Sequence, residues 1–177
     1  MTILKIAAGS VVLLVAAVLA FAATRPDSFS VRRAASIQAP PEKIFPLIND
    51  FSRWSAWSPY EKKDPAMKRS FSGPAAGKGA VYAWEGNGDV GQGRMEIADA
   101  VAPSRVTLKL DFVEPFEAHN KVDFTLEPKG GATEVTWAMD GPMPFISKVI
   151  TLFVDMDRMV GGDFEAGLAN LKAIAEK

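Results

Sequence analysis

The feature that most constrains the fold is a run of short, strand-like segments between residues 67 and 140. Apolar and polar residues alternate within them, which is typical of strands with one buried face. Val106 and Leu108, for example, flank the polar Thr107. Turns rich in glycine and proline separate the segments, and consecutive strands joined by such short turns form an antiparallel meander. The predicted strands are 67–73, 79–86, 92–101, 104–113, 117–128 and 132–140.

A further strand and a short helix precede this meander. Residues 28–37 alternate in the same way and predict a first strand that ends near Ile37. Pro41 followed by Glu42 is a helix-start signal. Pro46 should kink or shorten that helix, because proline lacks the amide hydrogen that a helix interior needs.

The C-terminal region has helical periodicity, and its apolar residues recur every three or four positions. It predicts one long amphipathic helix from residue 144 to 177, the only helix long enough to cover a curved sheet. The pair Gly161 and Gly162 should cost about 1 kcal/mol per residue relative to alanine, so we expect a kink or a close approach there. The periodic residues are Val149, Phe153, Met156, Val160, Phe164, Leu168 and Leu171.

Composition excludes several classes of function. The 177 residues are 48% hydrophobic and 23% charged, which suits one globular domain with an appendage. Lys plus Arg (20) nearly equal Asp plus Glu (21), so no basic field is present to attract nucleic acid. There is no cysteine and His119 is the only histidine, so we expect no metal site, no cofactor and no Ser-His-Asp catalysis.

The N-terminus carries a charge-free run from Ile6 to Thr24. As a helix it would be about 28 Å long, close to the bilayer's hydrocarbon core of about 30 Å. The sequence therefore favours one transmembrane anchor over residues 1–27 and a folded domain over 28–177, with the domain on the extracytoplasmic side of the membrane. The alternative is a cleaved signal peptide, because residues 20–22 fit the A-x-A pattern.

Two features that resemble functional motifs have simpler interpretations. GNGDVG at 86–91 matches a phosphate-loop pattern, but a strand and no helix follows it, which predicts a hairpin turn. His119 shares a strand face with Lys121 and Asp123 and has no partner in phase, which predicts a solvated surface histidine.

The order of elements, together with WSAWSPY at 54–60 and GDFEAGLANLK at 162–172, resembles the START-like (SRPBCC) superfamily and its polyketide cyclase/dehydrase-like branch. The resemblance covers about residues 28 to 176. It implies an α+β helix-grip fold, in which a seven-stranded antiparallel sheet wraps around a long C-terminal helix and two short helices close one end. It also implies a hydrophobic cavity for lipids, sterols, polyketides or similar molecules.

The inward-facing positions provide the candidate cavity residues, which are large and apolar. Such residues usually only fill a core, and for Trp54 and Trp57 closure of the core is favoured over ligand contact. In strand 79–86 the inward face is ambiguous, because its apolar face could consist of either Val81 and Ala83 or Tyr82 and Trp84. The candidates are Trp54, Trp57, Tyr82, Trp84, Met95, Phe112, Phe124, Trp137, Met139, Phe153, Met156 and Val160.

Three functions follow as hypotheses. The favoured one is a membrane-anchored, non-catalytic domain that binds a hydrophobic small molecule or lipid. The second is a cyclase or dehydratase, which would need an acid such as Glu85 or Glu114 inside the cavity. The third is an adaptor without a ligand, which an exposed apolar patch would mark.

Overall fold

The computed structural model describes residues 2–177, with side chains from residue 9 onward. In this part of the chain a 3-10 helix, Phe51–Ala56, accompanies α-helices and strands. The α-helices are α1 (Thr2–Ala23), α2 (Pro41–Asn49), α3 (Tyr60–Lys63), α4 (Phe145–Ile150) and α5 (Met156–Ala175). The strands are β1 (Ser28–Ile37), β2 (Lys68–Ser72), β3 (Val81–Glu85), β4 (Gln92–Val101), β5 (Arg105–Glu114), β6 (Ala118–Lys129) and β7 (Ala132–Pro142).

All seven strands form one antiparallel sheet in the order β1-β7-β6-β5-β4-β3-β2. Strands β2 to β7 form the predicted meander, and β1 closes the order by pairing with β7, where Val31 lies opposite Met139. Helix α5 packs on β1 and less on β7, while α2 packs on β5 and β6. The α+β helix-grip architecture is therefore confirmed, and α5 lies near the edge of the sheet opposite to β2.

The prediction of one continuous C-terminal helix is wrong. Residues 151–155 separate α4 from α5. The side chain of Asp155 accepts a hydrogen bond of 2.9 Å from the backbone N–H of Arg158. This N-cap begins a new helix, and Phe153, in the break, is 76% exposed. The apolar period continues across the break, so periodicity alone could not reveal it.

The predicted close approach at the glycine pair is confirmed for Gly161. A Cβ atom on Gly161 would lie 2.0 Å from Nη2 of Arg33, whereas one on Gly162 would meet no atom within 4 Å. The Arg33 guanidinium crosses α5 at this point and binds Asp157 at 2.9 Å and Glu165 at 2.7 Å. Gly161 thus gives Arg33 room to connect β1 to α5.

The N-terminal run is helical, as α1, but the predicted transmembrane helix finds no support. Among the described residues, no helix combines the length and the apolar character needed to cross a membrane. Residues 6–8 of the predicted span lie outside the described side chains. Ala22 near the end of α1 is buried, and α1 packs against α4.

Candidate ligand-binding site

The tryptophan-rich segment closes one end of the grip. Trp57 is 0% exposed, and its indole Nε1 donates a hydrogen bond of 2.9 Å to the carbonyl oxygen of Leu47. Trp54 Nε1 donates to the carbonyl oxygen of Ile48, also at 2.9 Å. The last carbonyls of a helix lack partners within it, so the two indoles satisfy the C-terminal end of α2 while they fill the core.

Four of the predicted cavity residues form a packed aromatic cluster with Phe164 of α5. The Trp137 ring lies 4.1 Å from the Phe164 ring and nearly parallel to it, and 4.9 Å from the Phe124 ring. Gly167 permits this contact, since a Cβ there would lie 2.7 Å from the Trp137 ring. Side chains thus fill this end of the interior. The cluster consists of Trp54, Trp57, Phe124, Trp137 and Phe164.

A second set of aromatic rings lines the half of the inner face farther from α5. The ring of Phe71 in β2 stacks on that of Tyr82 in β3, with 5.2 Å between the ring centres, and the Tyr82 ring stacks on that of Trp84 with 6.0 Å between centres. Trp84 then meets Phe112 of β5 edge-on at 5.8 Å, across Gly93, where a Cβ would collide with the indole. Phe71 is 55% exposed, whereas Tyr82 and Trp84 are buried. This aromatic row, Phe71, Tyr82, Trp84 and Phe112, crosses β2, β3 and β5 and has its buried rings in the middle, between the exposed Phe71 and the partly buried Phe112.

A buried carboxylate stands beside the aromatic row. The Glu61 side chain of α3 is 8% exposed and accepts hydrogen bonds from Tyr82 Oη and Arg69 Nε, each at 2.7 Å. Burial, reinforced by the Glu61 hydrogen bond, raises the pKa of Tyr82 above its ordinary value of 10.0. The phenol therefore remains a protonated donor, and Arg69 neutralises the carboxylate.

The remaining predicted cavity residues lie in three places. Met95 is buried opposite Tyr82, and Met139 is buried beside Val31 on the inner face. Met156 and Val160, in the first turns of α5, are partly buried. Phe153 and Met156 border an open groove of about 490 Å³ between the break at 151–155 and β1.

The acids considered for catalysis face solvent. Glu85 is exposed and pairs with Lys68 at 3.2 Å, and Glu114 is exposed at the end of β5. Among the residues with described side chains, no three His, Cys, Asp or Glu groups come together as a metal site. The segment 86–91 connects β3 to β4, as predicted for a hairpin turn.

His119 lies on the outer face and is exposed, but the expectation that it lacks a partner is wrong. Asp111 lies directly opposite it in the β5–β6 register, with Asp111 Oδ1 2.8 Å from His119 Nδ1. The carboxylate hydrogen bond raises the pKa of His119 above its ordinary value of 6.5.

Three residues near the site were missed from the sequence: Phe71, Glu61 and Arg69. Phe71 alternates with polar neighbours in a predicted strand, so its apolar character was an available signal. Its inward direction depends on pairing with Tyr82, whose own face was ambiguous. Nothing in the short YEKK segment indicated that Glu61 would be buried.

Comparison with known families gives one match over most of the chain. A family described as "Polyketide cyclase / dehydrase and lipid transport" matches residues 28–176. No curated protein matches the sequence significantly.

Solved structures share the fold at low sequence identity. The di-domain ARO/CYC protein BexL has a TM-score of 0.63 at 14% identity, and the match covers 87% of this chain and 52% of BexL. The Aha1 dimer of Colwellia psychrerythraea has a TM-score of 0.60 at 17% identity, with 84% and 96% covered. Major latex-like protein 151 of Panax ginseng has a TM-score of 0.59 at 14% identity, with 86% and 100% covered. At these identities the likeness concerns the fold alone.

Proposed function

Because the chain belongs to the polyketide cyclase/dehydrase and lipid transport family, we propose that it binds a hydrophobic small molecule or lipid within the grip, without catalysing a reaction. The observation that carries this proposal is the aromatic row. Its rings are in contact from the exposed Phe71 through the buried Tyr82 and Trp84 to the partly buried Phe112. Ligand sites are concave and mainly apolar or aromatic, so a flat, apolar molecule suits this surface.

The polar groups beside the row support binding without catalysis. The Tyr82 hydroxyl donates its hydrogen bond to Glu61, and Arg69 forms an ion pair with Glu61. A general acid or base needs a pKa near the working pH, whereas the pKa of Tyr82 is raised away from neutrality. In this proposal the Glu61–Tyr82–Arg69 group fixes the aromatic row in place.

A cyclase or dehydratase is the second candidate, and the one observation in its favour is the Tyr82 hydroxyl beside the aromatic row. Tyr82 could donate a hydrogen bond to a carbonyl oxygen of a polyketide-like substrate if Glu61 released it. Replacement of Tyr82 by Phe would then abolish turnover and spare binding. In the non-catalytic proposal there is no turnover to lose, and the same variant lowers the binding affinity only modestly.

The proposal includes attachment to a membrane through residues 6–24, with the domain on the extracytoplasmic side. Supporting it, the described side chains of α1 from Val11 to Val15 are apolar and largely exposed. Helix α4, which packs on α1, also exposes Phe145 and Ile146. Apolar surface of this extent commonly marks an interaction site, and its continuity with α1 favours a lipid bilayer as the occupant over a protein partner.

Uptake of the fluorescent probe N-phenyl-1-naphthylamine by the full chain tests the binding proposal. We expect enhanced, saturable fluorescence that weakens strongly in Phe112→Gln, because that change places an amide against the Trp84 ring. Phe153→Gln is the matched control, since Phe153 is exposed outside the row. Equal binding by both variants would place the probe elsewhere, and no saturable binding by the wild type would contradict the proposal.

A further inference from the structure

One edge of the sheet carries most of the exposed apolar side chains. Strand β5 ends and β6 begins at this edge, where β7 also ends and β1 begins. Among the residues with described side chains, ten large apolar side chains outside α1 are exposed, and seven of them lie at this edge. The most exposed are Phe116, Ile146 and Phe153. We call this surface the apolar edge, and it consists of the connector 24–27, the β5–β6 turn with its flank, 113–117, and the segment 143–155, which includes α4.

The opposite edge of the same sheet is polar by comparison. Its turns are 102–104 between β4 and β5 and 130–131 between β6 and β7, and beside them Val101 is exposed. The other two exposed apolar residues of the ten are Phe71 of the aromatic row and Met159 of α5. Single exposed apolar residues are normal on a protein surface, whereas a contiguous group marks an interaction site. The uneven distribution indicates that the apolar edge meets apolar surroundings and the opposite edge meets water.

Helix α1 leaves the domain at the apolar edge, and contacts fix its exit there. The connector between α1 and β1 has only four residues, 24–27. The carbonyl oxygen of Asp27 accepts a hydrogen bond of 2.7 Å from the backbone N–H of Met143, and the Asp27 carboxylate forms an ion pair with Lys148 of α4. Ala22 is buried, and α1 packs against α4. A membrane that holds α1 must therefore lie next to this edge.

The charges of the apolar edge do not favour an anionic surface. Its three segments contain two basic and four acidic residues, and one of the bases, Lys148, is buried and paired with Asp27. Attraction to anionic lipids needs clusters of basic residues near the surface. The occupant that fits is therefore apolar and carries little net charge. The charged residues are Arg25, Lys148, Asp27, Glu114, Glu117 and Asp155.

We propose that the apolar edge lies on the surface of a lipid bilayer, with Phe116 of the β5–β6 turn and Phe153 of the helix break at the boundary between headgroups and acyl chains. This inference rests on the proposed attachment through α1. It adds a fixed orientation, in which the domain stands on the membrane through three segments instead of moving freely on a short tether. Because burial of apolar area is the driving force, zwitterionic phosphatidylcholine is a sufficient surface.

Single-cysteine variants test this orientation on the full chain, which has no cysteine of its own. Glu117→Cys places an environment-sensitive fluorophore next to Phe116, and Val101→Cys is the matched control beside the opposite edge, since both residues are exposed. Each labelled chain is incorporated into phosphatidylcholine nanodiscs that hold a single chain, with and without nitroxide-labelled lipid. We expect blue-shifted emission that the nitroxide quenches at position 117, and neither effect at position 101. Adding Phe116→Gln to the Glu117→Cys variant should reduce the quenching.

The outcomes separate this inference from the proposed function. Incorporated chains whose label at position 117 is as solvated and unquenched as that at position 101 would overturn the orientation and leave the attachment standing. Chains that fail to enter the nanodiscs would contradict the attachment as well, whereas ligand binding is tested independently by uptake of the fluorescent probe.

Two further results would also contradict the proposal. Shielding at position 117 in vesicles, where chains can meet, but not in single-chain nanodiscs would assign the apolar edge to a second copy of the chain. Replacing part of the phosphatidylcholine by phosphatidylserine should leave the quenching unchanged, because the edge has no surplus of basic residues. Quenching that requires phosphatidylserine would contradict an apolar driving force.

Discussion

The indole Nε1 of Trp57 donates to the carbonyl oxygen of Leu47, ten residues earlier, at 2.9 Å. The bond explains why a tryptophan stands in a connecting segment of serines. It satisfies a backbone carbonyl near the C-terminal end of α2 and buries the large ring against Phe124 and Trp137.

Trp57→Ala should lower the free energy of unfolding by about 3–5 kcal/mol, because it opens a cavity and leaves the Leu47 carbonyl unpaired. Urea denaturation measures the change. The control is Phe153→Ala, whose exposed ring should contribute within about 0.5 kcal/mol. Equal stability of Trp57→Ala and wild type would contradict the structural role of Trp57.

The two neighbouring glycines of α5 should respond differently to alanine. Gly162→Ala should stabilise the protein by up to about 1 kcal/mol, since alanine favours helix and no atom lies in the way. Gly161→Ala should gain less or destabilise, because its Cβ displaces the Arg33 guanidinium from Asp157 and Glu165. Thermal unfolding of both variants measures the contrast, and equal shifts would show that Arg33 moves aside at no cost.

The single histidine allows a direct test of cross-strand register. The folded-state pKa of His119 is raised by Asp111. Its contribution to stability is therefore fully present below the unfolded value near 6.5 and is lost as the pH rises through the folded pKa. A proton NMR titration should give a pKa above 6.5 that falls in Asp111→Asn. An unchanged pKa in that variant would mean that the Nδ1–Oδ1 contact does not persist in solution.

Both tyrosines of the chain should resist ionisation. Burial raises the pKa of Tyr60, reinforced by Asp163, and burial with the Glu61 hydrogen bond raises that of Tyr82. Because the folded values exceed the unfolded value near 10, their contribution to stability is fully present below pH 10 and is lost as the pH rises through the folded pKa values. Ultraviolet titration should therefore show little phenolate at pH 10. Half-ionisation of either tyrosine at that pH, with the fold intact, would contradict its burial.

Alternation along the strands was sufficient to predict the sheet, except for the inward face of β3. It placed Val106 and Leu108 inward in β5, Val122 and Phe124 in β6, and the bounds of β4 agree with the prediction. These are local signals, because side chains of successive strand residues point to opposite faces. The family resemblance then supplied the wrapping around the C-terminal helix.

The positions of the site residues depend on contacts between segments that are distant in the chain, which local sequence patterns do not show. Tyr82 and Trp84 face inward because β3 pairs with β2 and β4. Glu61 is buried because α3 packs beside Tyr82 on that face. Asp111 opposite His119 is a matter of register between two strands. The helix break at 151–155 is hidden by an apolar period that runs through it.

The central claim is that the grip interior holds a hydrophobic ligand, and native mass spectrometry of the full chain tests it most directly. The protein is taken as purified and then after addition of N-phenyl-1-naphthylamine. We predict a discrete added mass, one molecule per chain, that is diminished in Phe112→Gln and retained in Phe153→Gln. A spectrum that shows only the bare chain, before and after the probe is added, would contradict the account.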